Sequence, residues 1–228
     1  MRLPYLLSTP RPAIALSSAN PTLVSGSALV KVRAHHVFDQ AYGEKRDMNL
    51  PIKRLGLLRH AKSEWDDAVK RDFDRPLNDR GRRGAALIGE HICAQDIAWD
   101  IAIASPAVRI RETLESARLG VSPVFDDRLY LASPETIIEV IGAHCGDTDF
   151  ANVLIIAHNP GLQETILNLV SPSHENDLFR EAAVKFPTAS FAILDCAIDS
   201  WTSLKNYSAT LTHFARPRDL DPDLGPEY

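Results

Sequence analysis

The sequence predicts an α/β fold, a three-layer sandwich with a mostly parallel central sheet and helices on both faces. Three observations carry that prediction. Short apolar runs recur along the chain: Leu55-Gly56-Leu57-Leu58, Ile101-Ala102-Ile103-Ala104 and Val153-Leu154-Ile155-Ile156-Ala157. They are continuous rather than alternating, which suits strands buried on both faces. Between them lie longer segments that open on Ser-Pro or Asn-Pro pairs, a helix-start signature.

Taken in order, the first strand is expected over 52–58. A polar loop, Lys62 to Leu77, follows it. A helix is expected over 79–95, with Asn78 as its N-cap. Strand 101–104 should lead into helix 106–118, capped by Ser105 with Pro106 at the first helical position. Ser133-Pro134 should open a helix over 135–144. Strand 152–157 should enter helix 160–170, with Asn159 as cap and Pro160 in the first turn. Two late runs, 188–195 and 208–214, read as further strands. Segments 171–187 and 216–228 are polar and Pro-containing and read as loop and tail.

Residues 1–47 read differently. They carry six Lys/Arg and three acids, with none before Asp39, and four prolines. No period of 2 or 3.6 is sustained there. The segment is expected to be a disordered extension, a transit peptide, or the product of a start site assigned upstream of Met48. The domain proper is expected over 48–228. A cytoplasmic location is expected, or an organellar one if residues 1–47 are a transit peptide.

Composition narrows the function classes. Net charge is −5, and the excess acid lies after residue 47, so bulk charge offers no nucleic-acid footprint. No apolar stretch approaches the roughly 18 residues of a membrane helix. Cys93, Cys145 and Cys196 are odd in number and widely spaced, which suggests neither disulfides nor a zinc knuckle. No HExxH, HxxxH or Asp cluster points to a metal. A monomer is expected.

The polar residues at the strand ends carry the chemistry. Arg59-His60 ends the first apolar run and His158 ends the third. Arg109 stands just beyond the second. Ligands of open α/β sheets bind at the carboxyl ends of parallel strands. These ends would bring two imidazoles and two guanidiniums to one edge, a set suited to a phosphate dianion. Arg75 precedes Pro76, which restricts it to extended backbone from which it would reach back toward that phosphate. A histidine in such a place is a candidate nucleophile. Each piece alone has a plainer account. Arg59-His60 would simply meet solvent, Arg109 would pair with Glu112 or Thr113, and His158 would pack at its strand end. His91, His144, His174 and His213 read as structural or surface residues.

Six stretches together resemble the histidine phosphatase superfamily, and most of all its SixA-type phosphohistidine phosphatases. They are LLRHAKSEW (57–65), DFDRPLNDRG (72–81), SPAVRIRET (105–113), LYLASPE (129–135), IIAHNPGL (155–162) and LTHFARPRDL (211–220). The resemblance covers about 52–220. It implies that His60 is the nucleophile that becomes phosphorylated. It also implies that Arg59, Arg109 and His158 bind the transferred group, with Arg75 and Asp72 completing the pocket. No metal or organic cofactor is implied. Three guanidiniums and a His158 imidazolium would then neutralise the phosphoryl oxygens; the helix start beside His158 disfavours its charged form, so the phosphate itself would help keep that ring protonated.

Two departures are visible. Ala61 and Ala157 stand where the superfamily often has Gly. The glutamate that serves as general acid in mutase-like members has no match between Phe125 and Ile138; Glu135 reads as a first-turn helix residue. A site with clamps but no strong acid suits P–N bonds, because imidazole leaves far more easily than an alkoxide. The expected substrate is a phosphorylated protein of the histidine phosphotransfer type. The alternatives are a small phosphorylated metabolite, with Glu64, Asp66 or Asp67 as acid, and a non-catalytic module with a blocked His60 ring.

Overall fold

The protein is represented by a computed structural model that describes residues 52–65 and 71–225. The expectations for residues 1–47, and for Asp66 and Asp67, lie outside the described residues. Six strands form one sheet: β1 (Ile52–Arg59), β2 (Ile101–Ala104), β3 (Pro123–Phe125), β4 (Asn152–Ala157), β5 (Phe191–Ala197) and β6 (Ala209–Ala215). Their order is β3-β2-β4-β1-β5-β6. The pairs β3–β2, β2–β4 and β4–β1 are parallel, whereas β1–β5 and β5–β6 are antiparallel. The segment 198–208, with a 3-10 turn at Trp201–Ser203, joins the antiparallel neighbours β5 and β6.

Helices cover both faces, so the three-layer prediction holds. On one side α1 (Asp79–Cys93) and α2 (Val108–Ala117) pack through Ala85, Ile88, Ile92 and Ile110. On the other, α3 (Pro134–Cys145), α4 (Gly161–Leu169) and α5 (Asp177–Val184) pack through Ile137, Ile141, Leu162, Ile166 and Phe179. The central strands feed both cores by alternation. Val153, Ile155 and Ala157 of β4 face one cluster, and Leu154 and Ile156 the other. That two-sided burial explains the continuous apolar runs. Among the described residues no helix is long and apolar enough to cross a membrane.

Several local expectations are corrected. Asn78 does cap α1, accepting from Gly81 N at 2.8 Å, and Ser133 caps α3. Ser105 and Asn159 do not cap. The second helix starts at Val108 and the fourth at Gly161, and neither N-cap residue makes a side-chain capping bond. Asn159 donates instead to Phe186 O at 3.0 Å. The segment read as loop 171–187 contains α5, with Asn176 capping it. The tail contains a short helix, α6 (Pro217–Leu220). Strand β3 was not anticipated: it is three residues long and only partly buried, with Val124 40% and Phe125 37% exposed.

Gly89 sets how closely α1 meets α2. A Cβ there would lie 2.0 Å from Ala117 O. Helix propensity alone would make Gly89→Ala stabilising by up to about 1 kcal/mol. The backbone clash has no flexible side chain to relieve it, and overpacking costs about 1–3 kcal/mol. Gly89→Ala is therefore expected to lower stability in urea unfolding; a rise would show that the helices separate freely.

Candidate active site

The sheet register assembles the site. Arg59 pairs with Ala157, so His60 and His158 leave adjacent parallel strands side by side. Their ring centroids are 5.2 Å apart and their planes tilted by 52°. Strand β2 lies on the far side of β4 and delivers Ser105, whose N–H donates to Ile156 O. The chain then turns into α2, and Arg109 sits in the first turn of that helix. Thr113 ties the two strand ends together. Its hydroxyl donates to Arg109 O at 2.6 Å and accepts from Ala61 N at 3.0 Å. Glu112 is not the partner of Arg109. It accepts from Leu77 N and from Arg82.

The 71–77 loop closes over this edge. A bridge pairs Ser63 with Leu77, and Glu64 N donates to Pro76 O. Arg75 has the extended backbone that Pro76 imposes (φ −67°, ψ 122°). Its guanidinium donates to Glu64 O at 2.9 Å, Asp72 Oδ1 at 2.8 Å and Ser63 Oγ at 2.7 Å. Arg75 thus meets the strand-end cluster through Asp72. Asp72 in turn takes Arg109 twice: Nη1 donates to its carbonyl at 2.5 Å and Nη2 to Oδ2 at 2.9 Å. Tyr130 OH donates to the same Oδ2 at 2.7 Å.

Protonation follows from the partners. His60 Nδ1 lies 2.8 Å from Ala61 O. A carbonyl only accepts, so Nδ1 carries the proton and Nε2 keeps its lone pair. Nε2 makes no hydrogen bond among the described residues. His158 has the opposite tautomer. Arg109 Nη2 donates to Nδ1 at 3.3 Å, and Nε2–H donates to Ser105 Oγ at 2.9 Å. Burial is the main cause that pulls both imidazoles down to about 3, with neighbouring positive groups adding to it. Without phosphate, burial and Arg109 keep the His158 ring neutral. Burial would raise the Asp72 carboxyl. The Tyr130 hydrogen bond, the field of Arg109 and the Arg75 hydrogen bond outweigh it and hold the group at about 2.

Arg59 completes the set. It donates from Nη1 to Phe186 O at 2.8 Å, while its Nε is buried without a partner. Burial, then Arg109, lowers its pKa, yet a guanidinium stays charged. The structure thus brings together His60, His158, Arg59 and Arg109, with Arg75 one link behind. Sequence reasoning missed Tyr130, and Ser105 as a partner of His158. Ser-Pro looked like a helix start, and nothing in the local pattern singles out Tyr130. His144 donates to Asp126, and His91 meets His213, so these histidines lie outside the cluster. Among the described residues no group of three or more His, Cys, Asp or Glu is placed to hold a metal ion.

Protons report this arrangement. Between about pH 6.5 and 3 the unfolded chain protonates its histidines before the folded one does, so stability falls as pH falls through that window. Nitrogen-15 NMR of the imidazoles should find His60 as the Nδ1–H tautomer and His158 as the Nε2–H tautomer. Neither should titrate between about pH 5 and 8. A midpoint near 6.5 for either ring would contradict the buried, positively flanked site.

Comparisons with known proteins place the chain in a family. Residues 55–130 match the histidine phosphatase superfamily (branch 1). An uncharacterized protein of Mycobacterium tuberculosis is 35% identical over 162 residues, covering 71% of this chain and 100% of that protein. A structure assigned as the phosphohistidine phosphatase SixA of Agrobacterium tumefaciens is 31% identical, with a TM-score of 0.60, covering 72% of this chain and 98% of that one. Another so assigned, from Nakamurella multipartitia, is 28% identical with a TM-score of 0.64, covering 73% and 96%. The chain belongs to the histidine phosphatase superfamily, in its SixA-type branch, and is a phosphatase.

Proposed function

We propose that the enzyme hydrolyses protein phosphohistidine through a phospho-His60 intermediate. The observation that carries this reading is the pinned tautomer of His60: Nδ1–H is spent on Ala61 O, and the Nε2 lone pair remains available. A binding module would need the arginines but no free nucleophile.

The steps follow from the residues. Arg59 and Arg109 take the phosphoryl oxygens, and Arg109 exchanges Asp72 for the substrate. His60 Nε2 attacks phosphorus in line with the departing nitrogen. The P–N bond breaks, and its electron pair stays on the leaving imidazole. When the other nitrogen of that ring carries a proton, the product is neutral imidazole and no acid is needed. Water then attacks phospho-His60. Its P–N bond breaks, the electron pair returns to Nε2, and both protons of the water depart with inorganic phosphate as dihydrogen phosphate. Nδ1–H stays on Ala61 O throughout.

The acid question supports the P–N reading over an ester. Asp72 is the carboxylate tied directly to Arg109, and before substrate binds the hydrogen bonds from Tyr130, Arg75 and Arg109 hold it ionised. An alkoxide leaving group would need a donated proton. Glu64 accepts from Trp65 N at 2.8 Å. The similarity to proteins assigned as phosphohistidine phosphatases points the same way.

The test is phosphate release from a histidine-phosphorylated phosphotransfer protein and from a sugar phosphate. The wild type should favour the first. Arg109→Ala should lose about 10²–10³-fold in kcat/KM, the cost of one transition-state donor. Faster turnover of the sugar phosphate would overturn the substrate assignment.

A further inference from the structure

We propose that Trp65 is a specificity residue that touches the substrate: its indole stacks on the planar ring of the leaving group and selects N-phosphorylated imidazoles over phosphorylated groups without a ring. The proposal rests on the P–N reading above and names the feature of the leaving group that the enzyme recognises.

Trp65 is 70% exposed, whereas Trp201 is buried and Trp99 half-buried. Single exposed apolar residues are common and need no special reason. What distinguishes Trp65 is how firmly it is held. The Arg75 guanidinium lies 3.5 Å from the centroid of its ring. That guanidinium is itself immobilised, with Nε, Nη1 and Nη2 bonded to Glu64 O, Asp72 Oδ1 and Ser63 Oγ. Trp65 N donates to the carboxylate of Glu64, and the Ser63–Leu77 bridge anchors the strand beside it. A large aromatic ring is thus fixed in solvent, at the cost of its burial.

The same bonds connect it to the site. Arg75 holds Asp72, and Asp72 holds Arg109. Two hydrogen-bonded links separate the indole's cationic neighbour from the guanidinium that takes the phosphoryl group. One face of the indole is covered by Arg75, which leaves the other for a second flat group. An imidazole attached to the bound phosphorus is such a group, and stacking on indole needs only a π-face. Acyl phosphates, sugar phosphates and phosphoramidate offer none.

The experiment compares a phosphohistidine-containing peptide with phosphoramidate, which has the same P–N bond and no ring. Trp65→Leu should raise KM for the peptide about tenfold, the effect of losing one stacked ring, with kcat little changed. Trp65→Phe should recover most of that loss. Neither variant should alter phosphoramidate kinetics. Equal losses on both compounds would overturn the proposal, because Trp65 would then act only by holding Arg75. An unchanged KM for the peptide would overturn it too. A wild type that cleaves phosphoramidate but not the peptide would refute ring selection and leave the P–N chemistry standing. A wild type that cleaves neither would remove both, and that failure shows before any variant is made.

Discussion

The structure turns on a buried positive charge. The Arg109 side chain is only 4% exposed, and a guanidinium taken out of water must be paired. Its partner is Asp72, through both the backbone carbonyl and the carboxylate. The Asp72 side chain is itself 47% exposed, so solvent screens the pair, and what its carboxylate chiefly supplies is a partner for the buried guanidinium. The pairing helps fix where the 71–77 loop lies. Once Asp72 is on Arg109, Arg75 and Tyr130 are drawn to the same carboxylate, and Trp65 follows Arg75. The ion pair works with the burial of Leu77 and the packing of Phe73 to order the segment.

The same charge sets the chemistry. In the proposed reaction Arg59 and Arg109 attract a dianion; burial, helped by their field, keeps the two imidazoles neutral. A nucleophilic histidine must be neutral, so the requirement for binding and the requirement for attack agree. The carboxylate opposes the third role a site of this kind can have. Ionised Asp72 satisfies the arginines in the absence of phosphate but has no proton to give, which favours leaving groups that depart unaided.

Much of this was legible in the sequence, for identifiable reasons. Strands β1, β2 and β4 are buried on both faces, so their apolar runs end sharply at Arg59-His60, Ser105 and His158. The rule that parallel strand ends line a crevice then groups those residues. The register that sets His60 beside His158 was not legible, because it depends on pairing across about a hundred residues. Helix α5 was hidden because only Phe179 and Ala182 are buried in it. Ser133 caps its helix as expected, yet Ser105 in the same Ser-Pro setting bonds His158. Local pattern cannot separate the two, since the difference is a partner more than fifty residues away. The sequence shows the helix behind the His158 ring but not the guanidinium beside it.

The central claim is that Nε2 of His60 carries the phosphoryl group between the two chemical steps. Rapid acid-free quenching during turnover of a phosphohistidine substrate, followed by phosphorus NMR and peptide mapping, tests it most directly. The account predicts an acid-labile, base-stable adduct on His60 with phosphorus on Nε2, because Nδ1 is held by Ala61 O. Phosphorus on Nδ1, on His158, or on no residue at all would contradict it.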